Sequence, residues 1–273
     1  MIDFNEIKKK VSTIKDFIGG EKYITLKKNN SINVFNKYDP NSNQLLTNKQ
    51  KLLIYQTDDP FDENKEWLCE KYNKIYSVNN KILRNLNIIS LPLGIVDTAE
   101  TISFATCYKK RDFSLFNLLC ECRDNFNEEP QKTLYLNYRI PPNFKIREDA
   151  HSIIEHTQSD YTDNTFNGND WLLFNNKETY IKYFNECLRH KYIQCPEGFG
   201  IDSYRFYETL YLGRIPVVLH NPVTDMFHEL PILFLNSWDE FDEKSKEFEQ
   251  SFNIENYSFE KLSWRYWEKT IND

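Results

Sequence analysis

The sequence predicts an α/β protein built as two successive Rossmann-like units facing a cleft, with the first unit reduced. Three observations carry that expectation. Short apolar runs of strand length alternate with helix-period patterns along the whole 273-residue chain, which favours mostly parallel sheets. The stretch from Cys195 to Leu219 reads strand, glycine loop, helix, strand, the logic of a nucleotide-binding half-domain. A hydrophobic content of 40% and an aromatic content of 15%, with only seven glycines, supply a core and speak against a disordered or repetitive chain.

Charge and cysteine usage narrow the classes. A net charge of −7 offers no basic footprint for nucleic acid, although a few converging arginines can still hold a small phosphorylated ligand. The six cysteines, Cys69, Cys107, Cys120, Cys122, Cys187 and Cys195, are unevenly spaced, and the five histidines form no HxxxH or HExxH pattern. That reads as core thiols in a reducing compartment and no metal site. The N-terminus does not read as a signal peptide, and no run approaches the ~18 apolar residues of a membrane span. The expectation is a soluble, cytoplasmic chain.

Along the chain, Ile7, Val11, Ile14 and Ile18 predict an amphipathic helix over 2–18, closed by Gly19-Gly20. Lys22 to Leu26 reads as a short strand. Residues 28–50 are polar and read as a long loop or a flap. Leu52 to Gln56 is a continuous apolar run, the mark of a strand buried on both faces, and it feeds into Asp58-Asp59-Pro60. A helical stretch around Trp67-Leu68 and strands at Ile75–Val78 and Ile88–Leu91 follow. After a helix over Phe113–Cys122, the segment from Asn125 to Gln131 is the best linker. It divides the chain into a unit of residues 1–128 and a unit of residues 129–255, with a final helix in 256–273. The second unit is expected to hold a strand at Thr133–Asn137, a helix at Ile146–His156, a loop around 160–169 and a strand at Trp171–Phe174. A helix at Glu178–His190 and a strand at Tyr192–Cys195 then lead into the glycine loop. Beyond it come strands at Ile215–Leu219 and Ile232–Leu235 and helices at Trp238–Phe248 and Phe259–Ile271.

The chemistry is expected at the carboxyl ends of these strands. Gly198 and Gly200 let the backbone approach a ligand closely, and the helix that follows presents free N–H groups and a positive end to an anion. The spacing is neither the dinucleotide fingerprint, because Ser203 stands where a third glycine would, nor a P-loop. A plain turn with Asp202 as helix N-cap is the alternative reading. Arg205 and Glu208, one turn apart on one helix face, are either a surface ion pair or a diphosphate ligand and an acceptor for two ribose hydroxyls.

The run Cys195-Pro196-Glu197-Gly198-x-Gly200-x-Asp202-Ser203-x-Arg205-x-x-Glu208, continuing to Gly213-x-Ile215-Pro216-Val217-Val218, resembles the signature of exostosin-like glycosyltransferases. Leu134–Tyr138 with Arg147 on the next helix, and Leu230–Leu233 followed by Trp238, extend the likeness over roughly residues 133–241. Leu53–Tyr55 with Asp58-Asp59, and Ser90–Gly94, resemble the acceptor domain more loosely. The resemblance implies a GT-B fold, a nucleotide-sugar donor and inversion at the anomeric centre. It implies that Glu208 binds the ribose, that Arg205, Arg147 and the Gly198–Ser203 backbone (with Asp202) hold the diphosphate, and that Asn137 lines the donor site. The first unit would then bind the acceptor, and the final helix would pack back on it. With no Asp-x-Asp motif in the chain, helix dipole and arginine are expected to stabilise the departing diphosphate without a metal or other cofactor. Asp59 is the candidate base that takes the acceptor's proton, with Asp58 and Asp97 behind it; a simple turn at Asp58–Pro60 is the alternative. His220 is either structural or a contact to the donor sugar. The expected partners are a UDP-sugar, xylose being one possibility, and a glycan acceptor. A catalytically inactive binder of nucleotide or glycan and a GDP-fucose-type transferase are the rival readings.

Overall fold

Two all-parallel sheets organise the chain, as the alternating strand and helix patterns predict. The computed structural model describes residues 2–26, 32–35, 51–55, 61–82, 85, 87–97, 111–166, 176–198 and 200–273. The first sheet holds β1 (Ile32–Phe35), β2 (Lys51–Ile54), β3 (Ile75–Val78) and β4 (Ile88–Leu91) in that order. The second holds β5 (Lys132–Leu136), β6 (Tyr161–Asp163), β7 (His190–Gln194), β8 (Ile215–Leu219) and β9 (Leu233–Leu235), in the spatial order β6-β5-β7-β8-β9. That is a doubly wound order, with its switch point between β5 and β7.

The apolar run at β2 is buried on both faces because two cores flank its sheet. Leu53, Tyr76, Val78 and Leu91 point into a core shared with the second sheet. Leu52, Ile54, Ile75 and Ile88 point the other way, onto Phe61, Leu68 and Tyr72 around the 3-10 turn Glu63–Glu70. Successive residues of a strand face opposite sides, so a continuous apolar sequence serves both cores.

The helices begin with α1 (Phe4–Ser12), α2 (Gly20–Thr25) and α3 (Leu115–Asn125). The second unit adds α4 (Lys145–His151), α5 (Ile153–His156), α6 (Lys177–Leu188), α7 (Tyr204–Tyr211), α8 (Phe241–Ser251) and α9 (Trp264–Asn272). From the first half of the chain, α3 packs on α6 and α7, and α1 packs on α3 and α7. Both thus complete the helical layer of the second sheet, and one continuous core runs from Phe4 through Leu119 to Ile271. The helix α9 returns to the N-terminal half: the Trp264 N–H donates to Asp16 O at 2.7 Å, and Lys51 Nζ donates to the last carbonyls of α9, Ile271 and Asn272, at 2.9 Å each.

Several expectations are corrected. The first helix ends at Ser12, because Phe17 instead forms an antiparallel bridge to Ser263. Lys22–Leu26 is not a strand; Gly20–Thr25 is the helix α2. There the tertiary anchor outweighs weak local propensity: Tyr23 is buried, donates to Pro92 O at 2.6 Å and meets Trp264 edge-on at 5.2 Å. The polar 28–50 segment contains β1, and the loop around 160–169 contains β6. These are short strands whose existence depends on a parallel partner. The predicted strand at Trp171–Phe174 lies outside the described residues.

Candidate functional site

The switch point brings together the carboxyl ends of β5 and β7 and the N-terminus of α7. Asn137 follows β5 directly and is buried. Its Nδ2 donates to Tyr135 Oη at 2.7 Å, while its Oδ1 is enclosed and accepts nothing. Arg205, in the first turn of α7, lies with its guanidinium carbon 5.9 Å from the Tyr138 ring centroid and 5.8 Å from that of Tyr183. Arg205 is only partly covered as a residue, yet its Nε is enclosed and without a partner. Burial works against its charge, and Tyr183, Cys195 and Glu208 around it more than offset that, so its pKa is raised.

Glu208 sits one turn further along the same helix, buried, with Tyr183 Oη donating to its Oε2 at 3.1 Å. Burial lifts its carboxyl above the ordinary range, against the opposing pull of Arg205 and of the Tyr183 hydrogen bond. Tyr135 is pushed up to about 12, chiefly by burial, and hydrogen bonds from Asn137 and Asn164 pull the other way. These tyrosines therefore remain neutral donors at neutral pH.

Arg147, on α4, approaches the same ring from its own side, 5.9 Å from the Tyr138 centroid. Its Nε donates to Glu197 O at 3.1 Å and its Nη1 to Arg139 O at 2.7 Å, so it braces the glycine loop. A Cβ on Gly198 would lie 3.1 Å from Arg147 Nη2. Two predicted cations thus converge on Tyr138, with Glu208 one turn beyond Arg205 on α7 and the Asn137 amide bonded to Tyr135. Tyr183, from α6, was not singled out by the sequence; a tyrosine in a helix-period pattern gives no signal of what it will face.

The other loop residues serve the junction between the units. A Cβ on Gly200 would come within 2.4 Å of Asn79 Oδ1, so only glycine allows Asn79 this approach. Asn79, at a φ of 53° just beyond β3, accepts the Asp202 N–H at 3.0 Å. Asp202 is buried and takes hydrogen bonds from Leu93 N–H at 2.8 Å, Ser203 N–H at 2.7 Å and Tyr207 Oη at 2.7 Å. Burial raises its carboxyl to about 6. The alternative reading of Asp202 as the N-cap is corrected: Ser203 occupies that position, and its side chain makes no capping bond. Asp202 is instead drawn to the Leu93 amide of the first unit.

Of the acceptor-side residues, Asp58 and Asp59 lie outside the described residues. Asp97 caps α3, its Oδ1 accepting from Ser114 Oγ at 2.7 Å and Phe116 N–H at 2.8 Å. His220 stacks on Phe234 at 4.9 Å and pairs through Nδ1 with Asp225 at 2.7 Å. Among the described residues no group of three or more ligating side chains converges as a metal site, and no helix is long and apolar enough to cross a membrane.

No family model matches this chain, and no curated protein matches it. The arrangement can receive an anion. It offers two guanidinium groups, one with a buried unsatisfied N–H, set at the N-terminal end of a helix, with a carboxylate one turn deeper.

Proposed function

We propose that this chain is an inverting glycosyltransferase of the GT-B type, moving a sugar from a nucleotide-sugar donor to a hydroxyl of a glycan acceptor. The observation that carries the reading is the approach of two guanidinium groups, Arg147 and Arg205, to the Tyr138 ring at the N-terminal end of α7, where Arg205 Nε is enclosed without a partner. Buried polar atoms without partners are costly, and an anion seated here would offer Arg205 Nε an acceptor. A diphosphate fits the cations, and the two hydroxyls of a ribose fit the two oxygens of Glu208.

In this reading Arg205 and the first amides of α7 stabilise the negative charge that grows on the departing nucleoside diphosphate as the glycosidic bond breaks. Arg147 holds the loop that supplies those amides and adds positive charge. Glu208 orients the donor through its ribose and does not touch the reacting carbon. The acceptor's proton passes to a base from the first unit, for which Asp59 remains the candidate. The family resemblance implies UDP as the nucleotide, with xylose among the sugars it would carry.

The test is release of nucleoside diphosphate from a panel of UDP- and GDP-sugars by the wild-type chain and by Arg205→Ala. Removing one such charge-stabilising donor is expected to lower turnover by about 100-fold or more, with the thermal transition retained. Turnover by Arg205→Ala equal to wild type would remove the role assigned to this residue. Absence of release from every sugar by the wild-type chain would favour a pure binder.

A further inference from the structure

Arg205 and Glu208 carry opposite charges one turn apart on α7, yet they do not pair. Among the described residues Arg205 enters no ion pair and donates no hydrogen bond, and its Nε is enclosed. A guanidinium and a carboxylate at this spacing ordinarily attract each other, the more so where burial keeps water away. Burial lifts the Glu208 carboxyl and the charge of Arg205 opposes it, so the two groups sense each other without meeting. Something holds them apart.

Tyr183 is placed to do so. From α6 its Oη donates to Glu208 Oε2 at 3.1 Å, and among the described residues that is the one hydrogen bond the carboxylate accepts. Its ring lies 5.8 Å from the Arg205 guanidinium carbon, and the Tyr138 ring lies 5.9 Å from the same carbon. A phenol offers an O–H to the anion and a π face to the cation, so one side chain engages both groups separately. The ring is buried and packed against Tyr135 and Phe184, at 6.5 and 5.3 Å between centroids, which fixes where the hydroxyl stands.

Resting on the reading of a diphosphate at Arg205, we propose that Tyr183 is a positioning residue: its hydroxyl holds Glu208 off Arg205 and so keeps the guanidinium open to an anionic ligand. Without that hydroxyl, Oε2 is a buried acceptor with no donor, a costly state. Arg205, on the same helix face, has the donors that relieve it. The carboxylate then pairs with the guanidinium and takes the place of the ligand's oxygens. Tyr183 acts on the ligand only through this pair.

Calorimetric titration of the full chain with inorganic pyrophosphate and with UDP tests this on wild type, Tyr183→Phe, Glu208→Gln and the double variant, with thermal melting of each. Tyr183→Phe keeps the ring and removes only the hydroxyl. Pyrophosphate carries no ribose, so a contact between Glu208 and the ligand's sugar does not enter. Tyr183→Phe is expected to weaken pyrophosphate binding about tenfold or more, the worth of one hydrogen bond to a charged group. Glu208→Gln removes the competing charge. Alone it should bind pyrophosphate no more weakly than wild type, and in the double variant it should restore affinity to within about twofold of wild type.

Undiminished pyrophosphate affinity in Tyr183→Phe would overturn the inference. So would a loss that Glu208→Gln does not restore, because a merely structural role for Tyr183 gives no rescue; both results leave the diphosphate reading intact. Wild type that binds UDP but not pyrophosphate would overturn the inference alone, and wild type that binds neither would overturn the reading with it. Should Tyr183→Phe alone not fold, the double variant decides: wild-type affinity in it shows that Tyr183 acts through Glu208, and weak binding refutes that.

Discussion

Asp202 shows how much one side chain can carry when its surroundings are nonlocal. Its carboxylate takes donors from Leu93 in the first unit and from Ser203 and Tyr207 in the second, so it fastens one unit to the other. Burial holds its carboxyl at about 6, above the value of about 3.9 expected in the unfolded chain. The folded state therefore takes up this proton first, and the contribution to stability is complete below about pH 4 and lost as pH rises through 6. Between pH 7 and pH 5 this group alone should stabilise wild type by about 1 kcal/mol. Thermal melts across that range check it, because Asp202→Asn cannot titrate: the wild-type melting temperature should rise relative to the variant as pH falls. A constant difference would mean that the carboxyl titrates alike in both states.

The helix α7 is positioned at both ends by features of different range. Its C-terminus closes with Gly213 at a φ of 71°; the Gly213 N–H reaches Leu210 O at 2.9 Å and the Arg214 N–H reaches Thr209 O at 3.0 Å. This is a Schellman cap, and it turns the chain directly into β8. Arg214, buried, continues the device by donating through Nη2 to Leu188 O at 2.6 Å, the last carbonyl of α6. Burial pulls the Arg214 guanidinium down to about 10, with Glu129 opposing. A Cβ at Gly213 would also lie 3.1 Å from Lys8 Cα. Gly213→Ala should thus destabilise by about 1–2 kcal/mol from the left-handed backbone alone, read as a lower urea midpoint at unchanged slope. At the other end, α7 begins at Ser203 without a side-chain cap, and the Phe206 N–H turns back to Ser203 O at 3.1 Å.

At the scale of the molecule, the N-terminal segment, α7 and the C-terminal segment meet at the Tyr211 hydroxyl. It accepts the Ile18 N–H at 2.8 Å and donates to Leu262 O at 2.6 Å, and the ring packs edge-on against Phe116 at 5.4 Å. Tyr211→Phe keeps the ring and leaves two buried backbone groups unpaired, at a cost of about 1–3 kcal/mol. A lower melting temperature together with faster amide exchange at Ile18 would confirm the junction; unchanged exchange there would refute it. Because the same helix carries Arg205 and Glu208, the junction also fixes the candidate site relative to the first sheet.

The sequence by itself determined the strand and helix alternation, the βαβ element around the glycine loop and the bounds of β8. Each of these is written in local periodicity and in glycine placement, and each physical cause lies within a few residues. The family resemblance implied Asn137, Arg147, Arg205 and Glu208 as one set, and in the structure Arg147 and Arg205 both approach the Tyr138 ring. Tertiary structure alone decided the rest. Residues Gly20–Thr25 became a helix because Tyr23 is held by Pro92, and β1 and β6 formed because parallel partners were supplied from elsewhere. Asp202 and Gly200 turned to Leu93 and Asn79, and Tyr183 came to stand over Arg205. These outcomes depend on contacts far apart in the chain, which no local pattern encodes.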